Sequence, residues 1–175
     1  MAHEAEPPVY ALGHSDRELR RLSVQARLVD PITKRFFTEA GIARGMRVLD
    51  VGSGVGDVAF VAAELVGETG TVVGTDRSGL AIALARHRAA ERSLRTVSFR
   101  EGDPTEMNFE EPFDAVVGRY VLMFQPDPVA MLRRVVAHAH PGGLVVFHEP
   151  YRGGVRSYPN VTDYDRAWEI GRAHV

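Results

Sequence analysis

The chain has 175 residues, 45% of them hydrophobic and 25% charged, which is enough to bury one substantial core and suits a single domain. A net charge near −2 leaves no basic footprint for nucleic acid, so a small-molecule partner is expected rather than DNA or RNA. The absence of cysteine excludes disulfides, thiol catalysis and cysteine-ligated zinc, and the seven histidines are scattered without metal-ligand spacing, so no metal is expected. The opening MAHEAEPP carries acids and prolines and no apolar stretch, unlike a signal peptide. No later run is long enough to span a membrane, so a soluble, cytoplasmic protein is expected. Nothing in the composition sets an oligomeric state.

In chain order, residues 1–14 read as a disordered or extended tail. Ser15 to Phe37 is a helical region: Ser15 followed by Glu18 forms a capping box, and Leu19, Leu22, Ala26 and Val29 recur on one face. Pro31 is expected to break this region into two helices. Residues 15–40 form a helical unit preceding the core, which is placed at residues 41–150.

The stretch Arg47 to Asp57, RVLDVGSGVGD, carries the most information. Val48, Leu49 and Val51 supply a buried strand, Asp50 stands near its end, and Gly52, Gly54 and Gly56 follow at alternate positions. Such glycines let the backbone turn sharply and approach a ligand without a Cβ in the way. The run after Gly56 reads as a helix, Asp57 to Val66, whose free N–H groups and dipole face the loop. The loop is therefore suited to a polar ligand. A dinucleotide fingerprint, G-x-G-x-x-G or A, needs a small last residue to pack helix on strand, and Asp57 occupies that position.

A second apolar strand, TVVGTD, ends at Asp76, where a carboxylate can accept both hydroxyls of a ribose. That acid suits a nicotinamide cofactor as well as other nucleosides. A helix from Leu80 to Glu91 follows, then a third strand, TVSFREGD, ending at Asp103. A fourth, FDAVVGRYVLMF, passes through Gly118 and Arg119; a helix from Val129 to Ala139 precedes a fifth strand, PGGLVVFHEP, opened by a Pro-Gly-Gly turn. Strands alternating with helices give a doubly wound, mostly parallel α/β sheet with helices on both faces. Each acid also has a plainer reading: Asp50 can cap the glycine turn, Asp103 before Pro104 can form a turn, and Asp114 can be a solvated strand start. His138 and His140 are placed at a helix end, where an imidazolium favours the dipole.

With an acid followed by G-x-G-x-G, and with the four later strands in order, the chain resembles the class I S-adenosylmethionine-dependent methyltransferases from roughly Gly41 to Pro150. The resemblance implies a Rossmann-like fold and S-adenosyl-L-methionine as cofactor. It implies that Asp50, Gly52, Ser53, Gly54 and Gly56 line the methionine side and that Asp76 and Arg77 meet the ribose. It further implies that Asp103, with Gly102 and Pro104, receives the adenine amino group, and that Arg119 lies at the methionine end. The leading helices of many small-molecule members close over the cofactor, which makes Tyr10, Arg21 and Gln25 contact candidates.

The implied reaction moves a methyl group from the sulfonium to an oxygen, nitrogen or carbon nucleophile of a small molecule. A hydroxyl acceptor gains from a base, and His148 or Glu149, at the end of the fifth strand, faces the crevice where open sheets bind ligands. The same two residues also read as an ordinary polar strand end. An NAD(P)-dependent oxidoreductase is the alternative, disfavoured by Asp57 and by the Gly102-Asp103 pair. A non-catalytic fragment is the third reading, because complete members add a helix and an antiparallel strand pair after the fifth strand. Residues 151–175 are expected to be an incomplete segment. The closing IGRAHV is what the sequencing adapter GATCGGAAGAGCACACGTCTGA encodes in frame before a stop. Ile170 to Val175 is therefore read as an artefact, with the natural protein continuing beyond about Trp168.

Overall fold

The computed structural model describes residues 16–150, with side chains described at Ala26 and from Leu28 onward. The proposed tail, the Ser15 cap, Tyr10 and the adapter-like residues 170–175 lie outside the described residues. Five strands form one parallel sheet: β1 (Arg47–Val51), β2 (Thr71–Asp76), β3 (Val97–Glu101), β4 (Phe113–Arg119) and β5 (Ala139–His148). Their spatial order is β3-β2-β1-β4-β5, so the chain winds outward from β1 and then crosses back to its other side at β4. The order reverses between β1 and β4, and it is at the carboxyl ends of the strands beside such a reversal that open sheets bind ligands.

β1 is central because it is apolar on both faces. Val48 packs with α1 (Asp16–Ala40), α2 (Asp57–Val66) and α3 (Gly79–Glu91) on one side. Leu49 and Val51 pack on the other against Val116, Val121 and Met131, with Met131 and Val135 supplied by α4 (Pro128–Val136). Alternation along the strand thus builds two cores with one backbone. Local chemistry sets the helix starts. Ser78 accepts from the Ala81 N–H at 3.3 Å, and Asp127 accepts from the Ala130 N–H at 2.9 Å with Pro128 in the first turn.

Three expectations need correction. Pro31 does not split the first helical region: α1 runs unbroken from Asp16 to Ala40 with Pro31 inside it. A proline removes one backbone donor and costs about 3 kcal/mol in a helix interior. The following turns recover this by burial, since Phe37 is fully enclosed and Ile42 is packed beside it in the same core. The fourth strand ends at Arg119, and Leu122–Phe124 form a short 3-10 helix instead of continuing it. The Pro-Gly-Gly segment is no turn before the fifth strand. It lies inside β5 as an irregularity between the Phe113 and Ala115 pairings, so α4 is shorter than expected and His140 belongs to a strand. There His140 faces Asp114 at 3.1 Å, while Asp114 also accepts the Arg47 N–H at 2.7 Å and ties the starts of β1, β4 and β5 together.

If burial of Phe37 holds α1 to the sheet across the proline, Phe37→Ala costs about 3–5 kcal/mol in a urea unfolding titration. A loss below about 1 kcal/mol would show that the end of α1 is not docked.

Candidate active site at the carboxyl ends of the strands

The described candidate cofactor and catalytic residues of the strands and their loops lie at the carboxyl ends of the strands, whereas Asp114 and His140 sit at the opposite end. β1 delivers Asp50 to the α1–α2 side, and the chain then turns through Gly52, Ser53, Gly54 and Gly56 into α2, each of these glycines with positive φ. Gly54 is open on the side where a Cβ would stand, with nothing within 4 Å, so a ligand can reach the backbone there. Gly56 is the reverse case: a Cβ would lie 2.8 Å from the Phe99 ring and 2.9 Å from that of Phe60. The loop is held from behind by α3. Arg88 donates to the Val55 carbonyl at 2.5 Å and to Asp57 at 2.6 Å. Asp57, in the place of a packing glycine, is thus the acidic half of a half-buried ion pair fixing the loop.

Asp50 is fully buried, and among the described residues neither carboxylate oxygen makes a well-formed hydrogen bond, the Ala59 amide acting on it without meeting that geometry. Burial pushes its carboxyl well above the usual carboxylate range; the Arg119 charge opposes this, Asp76 and Asp57 reinforce it, and the Ala59 amide of α2 offsets it in part. The Ser53 hydroxyl is also buried without a partner among the described residues. Buried polar groups are almost always satisfied, and an unpaired carboxylate is the costliest exception. A cationic, hydrogen-bonding ligand group at this point would remove the penalty.

Asp76, at the end of β2, accepts the Gly54 N–H at 2.9 Å through one oxygen and the Ser78 N–H at 2.8 Å through the other. Each oxygen retains a lone pair for a further donor. Gly102 donates its N–H to the Asp76 carbonyl at 2.8 Å, bringing Asp103 beside Arg77, with which it forms an ion pair. Asp103 also accepts the Thr105 N–H at 2.9 Å and the Thr105 hydroxyl at 2.7 Å, so the turn-forming reading is realised. Burial raises its carboxyl, but the bonds from Thr105 and Arg77 together hold it below its ordinary value. Pro104 is buried, and its carbonyl lies 2.7 Å from His138 Nε2.

Arg119 is no surface cation. Only 9% of its side chain is exposed, and Nη1 donates to Asp30 at 2.7 Å and to the Thr33 hydroxyl at 3.0 Å, both on α1. His148 pairs with Arg119 in the β4–β5 register and stands 3.0 Å from Thr33 through Nδ1, with the Phe36 ring T-shaped to its own at 4.9 Å. Burial first, then the Arg119 charge, push the imidazole below its ordinary value, with Glu149 opposing. Glu149 has another task. It accepts the N–H groups of Val121 at 2.8 Å and Leu122 at 2.9 Å, and of Met123 at 3.4 Å, capping the 3-10 helix. These bonds favour Glu149 as a polar strand end over a role as base. Gln25 lies on α1 in the part whose side chains are not described. Sequence reasoning missed Asp30 and Thr33, because an expected helix break at Pro31 hid that they share a face of one helix.

The methyltransferase-domain family matches residues 42–168. The chain belongs to that family, whose fold is that of the class I S-adenosylmethionine-dependent methyltransferases. It is 36% identical over 146 residues to an aklanonic acid methyltransferase of Streptomyces sp. (strain C5), covering 82% of this chain and 66% of that protein. A 2-phytyl-1,4-naphtoquinone methyltransferase of Synechococcus elongatus is 34% identical over 134 residues, which is 74% of this chain and 57% of that protein. A solved SAM-dependent methyltransferase from Aquifex aeolicus shares the fold, with TM-score 0.66 at 19% identity over 92% of this chain and 88% of the other. The chain spans about a third to two thirds of the length of the curated relatives it matches. Among the described residues, no helix is long and apolar enough to cross a membrane and no cluster could hold a metal ion.

Asp50 keeps its proton to a higher pH when folded than when unfolded. Folded stability therefore falls as pH climbs from the ordinary carboxyl value of 3.8 to the raised folded value, and stays reduced above it. Asp50→Asn removes that loss, so its thermal midpoint at pH 8 is expected to equal or exceed that of the parent, at about 2–4 °C per kcal/mol gained. A midpoint lower by several degrees would make Asp50 a structural residue.

Proposed function

We propose that this protein transfers a methyl group from S-adenosyl-L-methionine to a small-molecule acceptor. The observation that carries the reading is the buried Asp50 carboxylate, unpaired behind an open glycine turn and therefore suited to the ammonium group of the cofactor's methionine part. The remaining groups fit the rest of that ligand in order along the sheet edge. The backbone of Gly52, Ser53 and Gly54 would line the methionine chain, and Arg119, whose Nε and Nη2 have no hydrogen-bond partner among the described residues, would meet its carboxylate. Asp76 has lone pairs for the ribose hydroxyls beside Arg77, and Asp103, flanked by Gly102 and Pro104, stands where an adenine amino group would arrive. Tyr10 and Gln25 remain proposed contacts from the N-terminal side. The curated relatives' names, an aklanonic acid and a naphthoquinone methyltransferase, support small organic acceptors. The proposed setting is the cytoplasm, on composition alone.

When bound, the cofactor supplies an electrophilic methyl carbon. The protein's part is to hold donor and acceptor in line, which in well-oriented systems contributes roughly 7–11 kcal/mol. Asp50 and Arg119 would fix one end of the donor and Asp76 the other, while Asp30 and Thr33 of α1 hold Arg119 in place. His148, kept neutral by burial and by Arg119, is the proposed base for an acceptor that must lose a proton.

Calorimetric titration with S-adenosylhomocysteine, with NADH as control, tests the reading. Saturable binding of the first alone is expected, weakened at least about tenfold, or ~1.4 kcal/mol, in Asp76→Ala. Binding of NADH alone, or of neither ligand by a cooperatively folded chain, would refute it.

A further inference from the structure

The three contacts of the Thr33 hydroxyl can be satisfied together in only one proton arrangement. Thr33 is fully buried, and its oxygen lies 3.2 Å from the Val29 carbonyl, 3.0 Å from Arg119 Nη1 and 3.0 Å from His148 Nδ1. A hydroxyl has one proton and two lone pairs. The carbonyl can only accept, so it takes the hydroxyl proton. The guanidinium can only donate, so it occupies one lone pair. The second lone pair is left for His148, which must therefore donate from Nδ1. With the proton on Nε2 instead, Nδ1 would compete with Val29 for the single hydroxyl proton.

We propose that Thr33 is a positioning residue that sets His148 in its Nδ1–H tautomer, leaving the Nε2 lone pair free to take a proton from the hydroxyl of the methyl acceptor. Free imidazole side chains prefer the opposite tautomer, so the arrangement must be imposed. The surroundings also oppose a doubly protonated ring. Arg119 from β4 lies on the same hydroxyl, burial disfavours the cation, and the opposing Glu149 carboxylate is engaged by backbone amides; Asp30 on α1 is paired with Arg119, and Tyr120 packs beside the ring at 5.6 Å. Nε2 has no hydrogen-bond partner among the described residues. In the step this serves, the acceptor O–H proton passes to Nε2 as the oxygen bonds the methyl carbon. The carbon–sulfur bond breaks with its electron pair on sulfur, and the imidazolium returns its proton to water. The purpose of the free nitrogen rests on the methyl-transfer reading, but the tautomer does not.

The test is long-range 1H–15N correlation of the histidine rings in the full chain at a pH where His148 is neutral, with the His148 signals assigned by their loss in His148→Gln. The parent and Thr33→Ser are expected to show a protonated-type shift at Nδ1 and an unprotonated-type shift at Nε2. In Thr33→Val, which keeps the shape but not the hydroxyl, the pattern is expected to reverse. An Nε2–H ring in the parent, or an unchanged Nδ1–H ring in Thr33→Val, would overturn the proposal. Should Thr33→Val fail to fold, the parent ring decides: Nε2–H refutes, and Nδ1–H shared by Thr33→Ser supports. S-adenosylhomocysteine is added to the same samples. A parent chain that does not bind it counts against the methyl-donor reading and leaves the tautomer result standing.

Discussion

The enclosure of β1 on every side is the constraint from which the site follows. With β2 and β4 hydrogen-bonded to its edges and apolar cores on both faces, the strand can leave the sheet only by a tight turn at its carboxyl end. That turn must reach the start of α2 within a few residues, so it adopts left-handed backbone at Gly52, Gly54 and Gly56. Bonds from its backbone to Asp76 and from Arg88 to its carbonyl then make the loop rigid before any ligand arrives. Preorganisation of this kind lowers the ordering cost of binding.

A carboxylate enclosed at the end of such a strand is expensive, and Asp50 is the one buried charge in β1. The sheet tolerates it because the surrounding burial on Val48, Leu49 and Val51 more than offsets one unfavourable group. Function and stability therefore pull in opposite directions at this residue. Asp76, Asp103 and Glu149 carry no such conflict, since each carboxylate already serves the fold by accepting backbone N–H groups. Asp76 and Asp103 can do both jobs, while Glu149 is engaged by successive amides.

On the other side of the candidate site, α1 is tied to the sheet by polar contacts as well as by packing. Arg119 and His148 are neighbours across β4 and β5, and Thr33 bridges them while Asp30 neutralises the guanidinium. Buried polar networks are costly when incomplete, so this one also fixes where the helix sits. Leu28, Ile32 and Phe36 remain exposed along the same helix, and Phe36 is the member that packs T-shaped with His148.

Sequence by itself determined the succession of strands along the chain, the glycine turn and the acids at the strand ends, while their spatial order β3-β2-β1-β4-β5 came from the tertiary structure. The first three depend on local signals: apolar runs of strand length, residues able to take positive φ, and helix caps. It also marked Asp57 as out of place for a dinucleotide loop. Only the tertiary structure decided that Asp57 answers Arg88 on α3, that Glu149 caps a 3-10 helix, and that Asp50 alone among these acids is left without a well-formed hydrogen bond among the described residues. It also decided the fate of Pro31, because a proline's local cost is read in the sequence while the burial of Phe37 that outweighs it is a property of the packed core. The pairing of Thr33 with Arg119 and His148 was invisible for the same reason: residues 86 and 115 positions apart are brought together by the sheet, and no local pattern encodes that meeting.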